Sequence, residues 1–418
     1  MNSILTDVDS VVDSIAHVYR DLHRHPELSF AEHRTAGIVA ERLGELGLEV
    51  ITGVGRTGVV GVERNGPGPT VLLRADMDGL PVVEDTGLDY ASQARGVDPD
   101  GIDVAVMHAC GHDVHVASLL GATEVLLARR SEWAGTLVVV FQPAEELGAG
   151  AQAMVDDGLF DRVPRPDIVL GQHVAPVAAG LVGVHAGPAF AAVDSFRVTM
   201  YGRGGHGSRP ETTIDPIVMA AATILRLQTI VAREVAGNET AVVTVGQVHA
   251  GTKNNIIPDE AVFGVALRSL DAAVRTRVLA AIHRIIRAEA TASGADREPL
   301  IEAQESFPVL VNDPPATQRT VEALRAAFGH ARVIDPGAVT GSEDVSILAT
   351  AAGAPLVFWL IGGTDAAEFA RATAAGTVER DIPANHSSHF APVIRPTLDT
   401  GVAALVVAAL EWLGAAAP

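Results

Sequence analysis

Apolar positions recur at helical spacing over residues 7–24 and 31–48, and the break between them falls at His25-Pro26-Glu27. Proline drives the residue before it out of helical geometry, so the pattern predicts two helices joined by a turn. Short, unbroken apolar runs follow at 70–73, 137–141, 168–170 and 356–361. Runs of that kind suit strands that are buried on both faces. Helix-period stretches at 113–130 and 318–328 lie between several of them. The alternation predicts an α/β domain, a mostly parallel sheet with helices on both faces.

The middle of the chain has a different rhythm. Residues 195–201 alternate, with Phe196, Val198 and Met200 on one side and Arg197, Thr199 and Tyr201 on the other. That is the pattern of a half-buried strand. A helix is predicted at 215–233, strands at 240–249 and 261–268, a second helix at 271–293 and a short strand at 300–303. The order β-α-β-β-α-β is the ferredoxin-like split unit. The expected organisation is a catalytic domain built from residues 1–189 and 305–418, interrupted by an inserted α+β domain at 190–304. A chain of 418 residues is long enough for two such domains, each with its own core.

Charge and cysteine content narrow the partners. Thirty Lys and Arg against 51 Asp and Glu leave a net charge of −21, the opposite of a nucleic-acid or anionic-membrane footprint. One cysteine rules out an intramolecular disulfide framework and fits a reducing compartment. The first residues, MNSILTDVDS, lack the basic start of a secretory signal. Apolar runs such as 401–410 are shorter than the roughly 20 residues of a membrane span. A soluble, cytoplasmic protein is expected, without nucleic acid or membrane partners.

In open α/β sheets, ligands bind beyond the carboxyl ends of the strands. Beyond 70–73 stand Asp76 and Asp78; beyond 137–141, Glu145 and Glu146; beyond 168–170, His173. A loop before the helix at 113 holds Cys110 and His112, and His386 and His389 lie in ANHSSHF. Thiolate, imidazole and carboxylate collected at one sheet edge form a transition-metal donor set. Each piece has a plainer reading: a buried cysteine is usually a small apolar residue, and paired glutamates usually face water. Here the two glutamates directly follow an apolar strand, where two charges are costly unless a cation holds them.

The segments MHACGHDVH, QPAEE, GQHVAP, GRGGHGSRPETTIDP, NNIIPDEA, GSED and NHSSHF carry a resemblance to the M20 metallopeptidase-like amidohydrolases. The chain is similar to the branch holding N-acyl-amino-acid and auxin-conjugate amidohydrolases and hippurate hydrolases, over residues 23–392. The resemblance implies a two-metal catalytic domain interrupted by a lid and dimerisation domain, hence a homodimer. It makes Cys110, His112, Glu146, His173 and His386 metal ligands, Glu145 the general base, and Asp78 a carboxylate orienting a ligand. It leaves Asp76 open, because other branches place a metal-binding histidine about there. His206, Asn255 and Arg268 would reach the substrate, His206 crossing from the partner subunit to bind the carbonyl oxyanion. The family usually reads His-Ser-Pro near its C-terminus; this chain has His386-Ser387-Ser388-His389, and the ligand is assigned to His386.

The expected reaction is cleavage of the amide bond of an N-acyl amino acid or related amide. Two divalent ions (Zn, Mn, Co or Ni are equally compatible) would hold a bridging water, and Glu145 would take its proton. A dipeptidase or aminopeptidase of the same superfamily is the alternative. A non-catalytic, metal-stabilised binding protein would have no use for Glu145, and a zinc nucleobase deaminase would need cysteines this chain lacks. Three features take simpler readings. Gly53–Gly58 matches GxGxxG, but the strand pattern at 59–63 makes it a hairpin turn rather than a dinucleotide loop. Ser342-Glu343-Asp344 reads as a helix N-cap with an acidic first turn, near the pocket by resemblance. His23, His25, His108 and His115 read as packing or supporting residues.

Overall fold

A computed structural model describes residues 2–415. The chain forms two compact units. The first comprises residues up to Gly187, Val311–Gly337, and those from Asp344 onward. Its central sheet runs in the order Glu49–Val54, Gly58–Asn65, Trp133–Gln142, Thr70–Asp76, Ile168–Ala178, Leu356–Thr364, Val182–Gly183 and Val333–Ile334. The four strands from Trp133–Gln142 to Leu356–Thr364 are mutually parallel, and antiparallel strands flank them. This is the expected mixed α/β fold around a mostly parallel sheet.

Burial explains why those strands read as unbroken apolar runs. Val71, Leu73, Leu137, Val139, Ile168, Leu170, Val357 and Trp359 join one core with the helices Asn2–Arg24, His112–Ala128 and Ile394–Trp412. The alternate residues Leu72, Val138, Val140, Val169 and Phe358 face the other way and are equally buried. Covering each such side chain is worth roughly 1.5–3 kcal/mol, so both faces contribute. The first helix shows its single buried stripe at Val8, Val12, Ile15, Tyr19 and Leu22. His112–Ala128 is buried on nearly every side, which hides helical periodicity.

The structure extends every strand predicted from the apolar runs. Ile168–Ala178 continues past Leu170 because Gln172, though polar, is buried with its amide satisfied. Its Oε1 accepts from Trp359 Nε1 at 3.0 Å, and its Nε2 donates to Gly401 O at 3.1 Å. The GxGxxG segment is the hairpin turn between Glu49–Val54 and Gly58–Asn65, which pair antiparallel.

The second unit comprises Pro188–Leu310 and Ala338–Glu343. Its antiparallel sheet has the order Ala241–Ala250, Glu260–Ser269, Ala192–Tyr201 and Leu300–Phe307, the ferredoxin-like arrangement. Helices Pro216–Arg233 and Ala272–Ala292 share a core with Phe196, Val198 and Met200. Asp215 and Asp271 cap them, each accepting two backbone N–H groups of the first turn. The unit departs from a contiguous 190–304 in two ways. Its last strand runs on to Phe307 through the exposed Gln304, Glu305 and Ser306, which carry no apolar signal. The segment at 338–343 returns to it, with Val339 N–H donating to Ala189 O and Ala191 N–H to Gly341 O, both at 2.9 Å.

Among the described residues, Pro216–Arg233 is the one helix long and apolar enough to cross a membrane by length and composition. It contains Arg226, and it buries a single face (Met219, Ala220, Thr223, Leu227, Ile230) within this unit.

Candidate metal centre

Two strand ends, the interior of a third strand and two loops of the first unit bring the donors together. Asp76 closes Thr70–Asp76 and is buried, as is Asp78 two residues on. After Trp133–Gln142 the chain turns sharply: Gly150 N–H donates to Ala144 O, and a Cβ on Gly150 would stand 1.5 Å from Pro143 O. Only glycine fits there, and the turn presents Glu145 and Glu146. Gly111 does the same for the loop of Cys110 and His112. Its φ is +79°, and a Cβ would lie 2.4 Å from Val174 Cγ1. His173 lies inside its strand, opposite Leu360, rather than in a loop beyond it.

The hydrogen bonds fix which ring nitrogens face the cluster. His112 Nδ1 donates to Asp78 Oδ1 at 3.2 Å, leaving Nε2 buried with no hydrogen-bond partner. His173 Nδ1 donates to Val174 O at 2.8 Å, and its Nε2 faces Cys110 Sγ at 3.4 Å. In the neutral tautomer these bonds set, both Nε2 atoms carry a lone pair turned into the cluster, that of His173 toward Cys110 Sγ, the form in which histidine binds a metal. Glu146 Oε1 is likewise buried without a hydrogen-bond partner. Its Oε2 is 3.4 Å from His386 Nε2, and its Oε1 3.7 Å from His112 Nε2. Ligand atoms of Cys110, His112 and His173, of Cys110, Glu146 and His386, and of His112, Glu145 and Glu146 fall within 4.8 Å of one another in each group.

Electrostatics point to missing positive charge. Burial, then the charges of Glu146 and Glu145, push the Cys110 thiol well above its usual range. Burial, aided by Asp78 and Asp76 against the pull of His112, pushes Glu146 up to about 8. Burial alone would lower His112, yet Asp76 and Asp78 raise it to about 10. Acids that hold their protons, beside an imidazole driven to hold a second one, form a site built to take up positive charge. The donor set of thiol, imidazole and carboxylate fits divalent transition metals.

The remaining candidates divide clearly. Asp78 accepts from His112 Nδ1, Ser29 Oγ, and the backbone N–H groups of Glu145 and Glu146. Asp76, His112 and His115 also group closely. His115 is nevertheless committed at both nitrogens, with Nδ1 donating to Asp76 and Nε2 accepting from Val174 N–H. His389 turns to Asp85 O through Nδ1 and stands outside the grouped donors, which contain His386. His108 is buried and held neutral by that burial, lowered to about 4. His23 lies between Asp113 and Glu84; burial would lower it, but the two carboxylates raise it to about 9. His25 is exposed just past the end of helix Asn2–Arg24, its Nδ1 donating to Asp21 O.

Within the second unit, His206 and Asn255 are neighbours. His206 pairs with Ile256, and Gly207 N–H donates to Asn255 O at 2.8 Å. Ser208 N–H donates to His206 Nδ1 at 3.1 Å, so the proton of a neutral ring sits on the exposed Nε2. Arg268 is apart from them, donating to Thr340 O at 2.7 Å. The N-cap reading of Ser342-Glu343-Asp344 does not hold. Helix Ser346–Ala352 begins after Val345 without a side-chain cap. Asp344 is buried instead, accepting from Arg74, Gln142 and Ala151 N–H.

Sequence reasoning passed over Arg74, Asn385 and Glu32. Arg74 is a fully buried cation joined to Asp76, Gln142 and Asp344, signalled only by an arginine in an apolar strand. Asn385 donates to Cys110 O and Val174 O, and its position before His386 was the available clue. Glu32 follows no strand and carried no signal.

A model of peptidase family M20/M25/M40 matches residues 72–384, and the chain belongs to that family. It is 37% identical over 351 residues to thermostable carboxypeptidase 2 of Saccharolobus solfataricus, covering 83% of this chain and 85% of the relative. It is 39% identical over 327 residues to hippurate hydrolase of Campylobacter jejuni, covering 78% and 81%. A Bacillus subtilis crystal structure, described as a dinuclear metal binding peptidase of the M20 family, superposes with a TM-score of 0.74 at 29% identity. That alignment covers 97% of this chain and 100% of that one. The chain is thus a member of a hydrolase family, with the mixed α/β fold of its relatives.

Proposed function

We infer that this protein is a dinuclear metal-dependent amidohydrolase that releases the acyl group from N-acyl amino acids or closely related amides. The observation that carries the reading is the buried donor set in which Nε2 of His112 and of His173 turns toward Cys110 and two glutamates. Cys110, His112, Glu146, His173 and His386 are the residues that would hold two divalent ions. When bound, those ions supply Lewis acidity, polarising the amide carbonyl and acidifying the attacking water.

The chain's own residues do the rest. Glu145 takes the proton of the attacking water and returns it to the leaving nitrogen. Asp78 keeps His112 in the tautomer with a bare Nε2 and fixes the backbone of both glutamates. His206, through its exposed Nε2–H, donates to the developing oxyanion of a neighbouring subunit's centre, with Asn255 beside it and Arg268 as a further substrate contact. A homodimer through the second unit is supported by apolar exposure. Val242 and Val248 lie on the edge strand Ala241–Ala250, and Val218 and Leu225 on the helix Pro216–Arg233.

The N-acyl reading is favoured by the hippurate hydrolase relative, whose named substrate is an N-acyl amino acid. The carboxypeptidase relative keeps peptide cleavage as a second reading. Metal analysis of the purified protein, with a hydrolysis screen of N-acetyl, N-benzoyl and indole-acetyl amino acids beside free dipeptides, tests both. Turnover is expected with the N-acylated substrates and should fall when a free α-amino group replaces the acyl cap. Turnover confined to free dipeptides would reverse the order of the two readings.

A further inference from the structure

We propose that Glu32 is a positioning residue for Glu145, acting through the backbone of Ala144. The inference rests on Glu145 being the base. Glu32 has no exposed surface and stands just before helix His33–Glu45 without capping it. Its carboxylate is turned the other way. Oε1 accepts from Ala144 N–H at 2.8 Å and Phe30 N–H at 2.9 Å, and Oε2 from Thr57 Oγ1 at 2.5 Å. With Asp78 holding the next two amides, the three consecutive N–H groups of residues 144–146 all end on buried carboxylates.

Backbone strain gathers at the same place. Among the described residues, four other than glycine have left-handed backbone: Phe30 (φ +61°), Arg56 (+83°), Ala144 (+48°) and His386 (+70°). Phe30 and Ala144 are themselves Glu32's donors. Arg56 precedes the third donor, Thr57, and stacks its guanidinium 4.2 Å over the Phe30 ring. Non-glycine residues avoid this region unless their surroundings force it, and such residues cluster where geometry serves function. Glu32 is the shared acceptor that holds two of them. Without it, the Ala144 N–H loses its acceptor and the backbone can relax toward ordinary φ. The relaxation works against the remaining bonds of Gly150 N–H to Ala144 O and of Glu145 N–H to Asp78, and it displaces Glu145. Proton transfer needs heavy atoms within about 2.6–3.2 Å, and a displacement near 1 Å can cost about 10²-fold in rate.

The test compares Glu32→Ala, Glu32→Gln, Glu145→Gln and the double variant Glu32→Ala/Glu145→Gln for kcat, KM, metal stoichiometry and Tm. Glu32→Ala should lose about 10–100-fold in kcat, with KM within about twofold and metal stoichiometry unchanged, since Asp78 still holds Glu146. Glu32→Gln keeps Oε1 as acceptor and can offer its amide to Thr57, so it should retain most activity. The double variant should be no slower than Glu145→Gln alone, because the two changes disable one function. Glycine adopts positive φ freely, so Ala144→Gly added to Glu32→Ala should recover part of the loss. Wild-type kcat in Glu32→Ala, a multiplicative loss in the double variant, or metal lost in step with activity would each overturn the proposal. Full activity in Glu145→Gln would instead overturn the base assignment, and this inference with it. If Glu32→Ala is not recovered folded, Thr57→Val releases Oε2 and carries the same test. It should lower kcat a few-fold at full metal content, and an unchanged kcat overturns the proposal.

Discussion

Glu145 and Glu146 are adjacent, share Asp78 as backbone acceptor, and yet are assigned opposite tasks. Glu146 faces both His386 and His112, as a ligand between two imidazoles would. Glu145→Gln is therefore expected to cut kcat by about 10³–10⁴-fold, the upper part of the general-base range, with metal content near wild type. Glu146→Gln should lose metal; the reverse pattern by metal analysis would exchange the two roles. The same measurement separates the late histidines, His386→Ala losing metal and His389→Ala keeping it. His23 carries a pH prediction. Its folded value of about 9 lies above the ordinary 6.5, so its contribution to stability is complete below pH 6.5 and disappears as pH rises through 9. The span corresponds to a loss on the order of 3 kcal/mol. Denaturant unfolding at pH 6 and pH 10 should show that loss in the wild type and a much smaller one in His23→Gln.

At the level of elements, legibility followed the apolar signal. The four parallel strands were visible because both faces are buried, and the second unit because its strands alternate over a single core. What stayed hidden was held by polar pairing. The strand bearing His173 continues through Gln172, whose amide bonds to Trp359 and Gly401, and no apolar count registers that. Asp344 looked like a capping acid because its partners, Arg74 and Gln142, are 270 and 202 residues away. Glu32 is 112 residues from Ala144. Donors at strand ends were therefore readable, whereas the residues that orient them were not. The loop of Cys110 and His112 offers a test of this layer. Gly111→Ala must accept positive φ, at roughly 1–2 kcal/mol, and its Cβ would collide with Val174, the residue after His173. Both effects push the loop away from His173. The variant should melt lower and bind metal more weakly, as read by thermal unfolding and metal titration; unchanged metal affinity would mean that the loop adjusts without moving its donors.

For the molecule as a whole, the open matter is whether one chain makes a complete active site. The second unit exposes Leu225 at 73% and Val242 at 49% of their surfaces, on a helix and an edge strand that pack together. Exposed apolar groups beside an unpaired strand edge suit association with another copy. His206 belongs to this unit, separate from every assigned ligand, and its Nδ1 is occupied by Ser208. A residue serving only the turn Gly205–Gly207 could be replaced at a cost within about 0.5 kcal/mol. An oxyanion donor cannot: its loss should slow kcat by about 10²–10³-fold, with metal content and Tm unchanged. If the donor comes from a neighbouring subunit, two inactive proteins should complement each other. His206→Ala mixed with Glu145→Gln yields hybrid dimers in which one centre combines an intact Glu145 with an intact His206. Random exchange of equal amounts makes half of the dimers hybrid, each with one working centre of two, so activity should return toward about a quarter of wild type by the transition-state arithmetic of independent sites. Subunit exchange is checked separately by mass spectrometry of differently tagged chains. Exchange without recovery would place His206 within its own subunit's site, whereas recovery would show that the catalytic unit of this protein is the dimer.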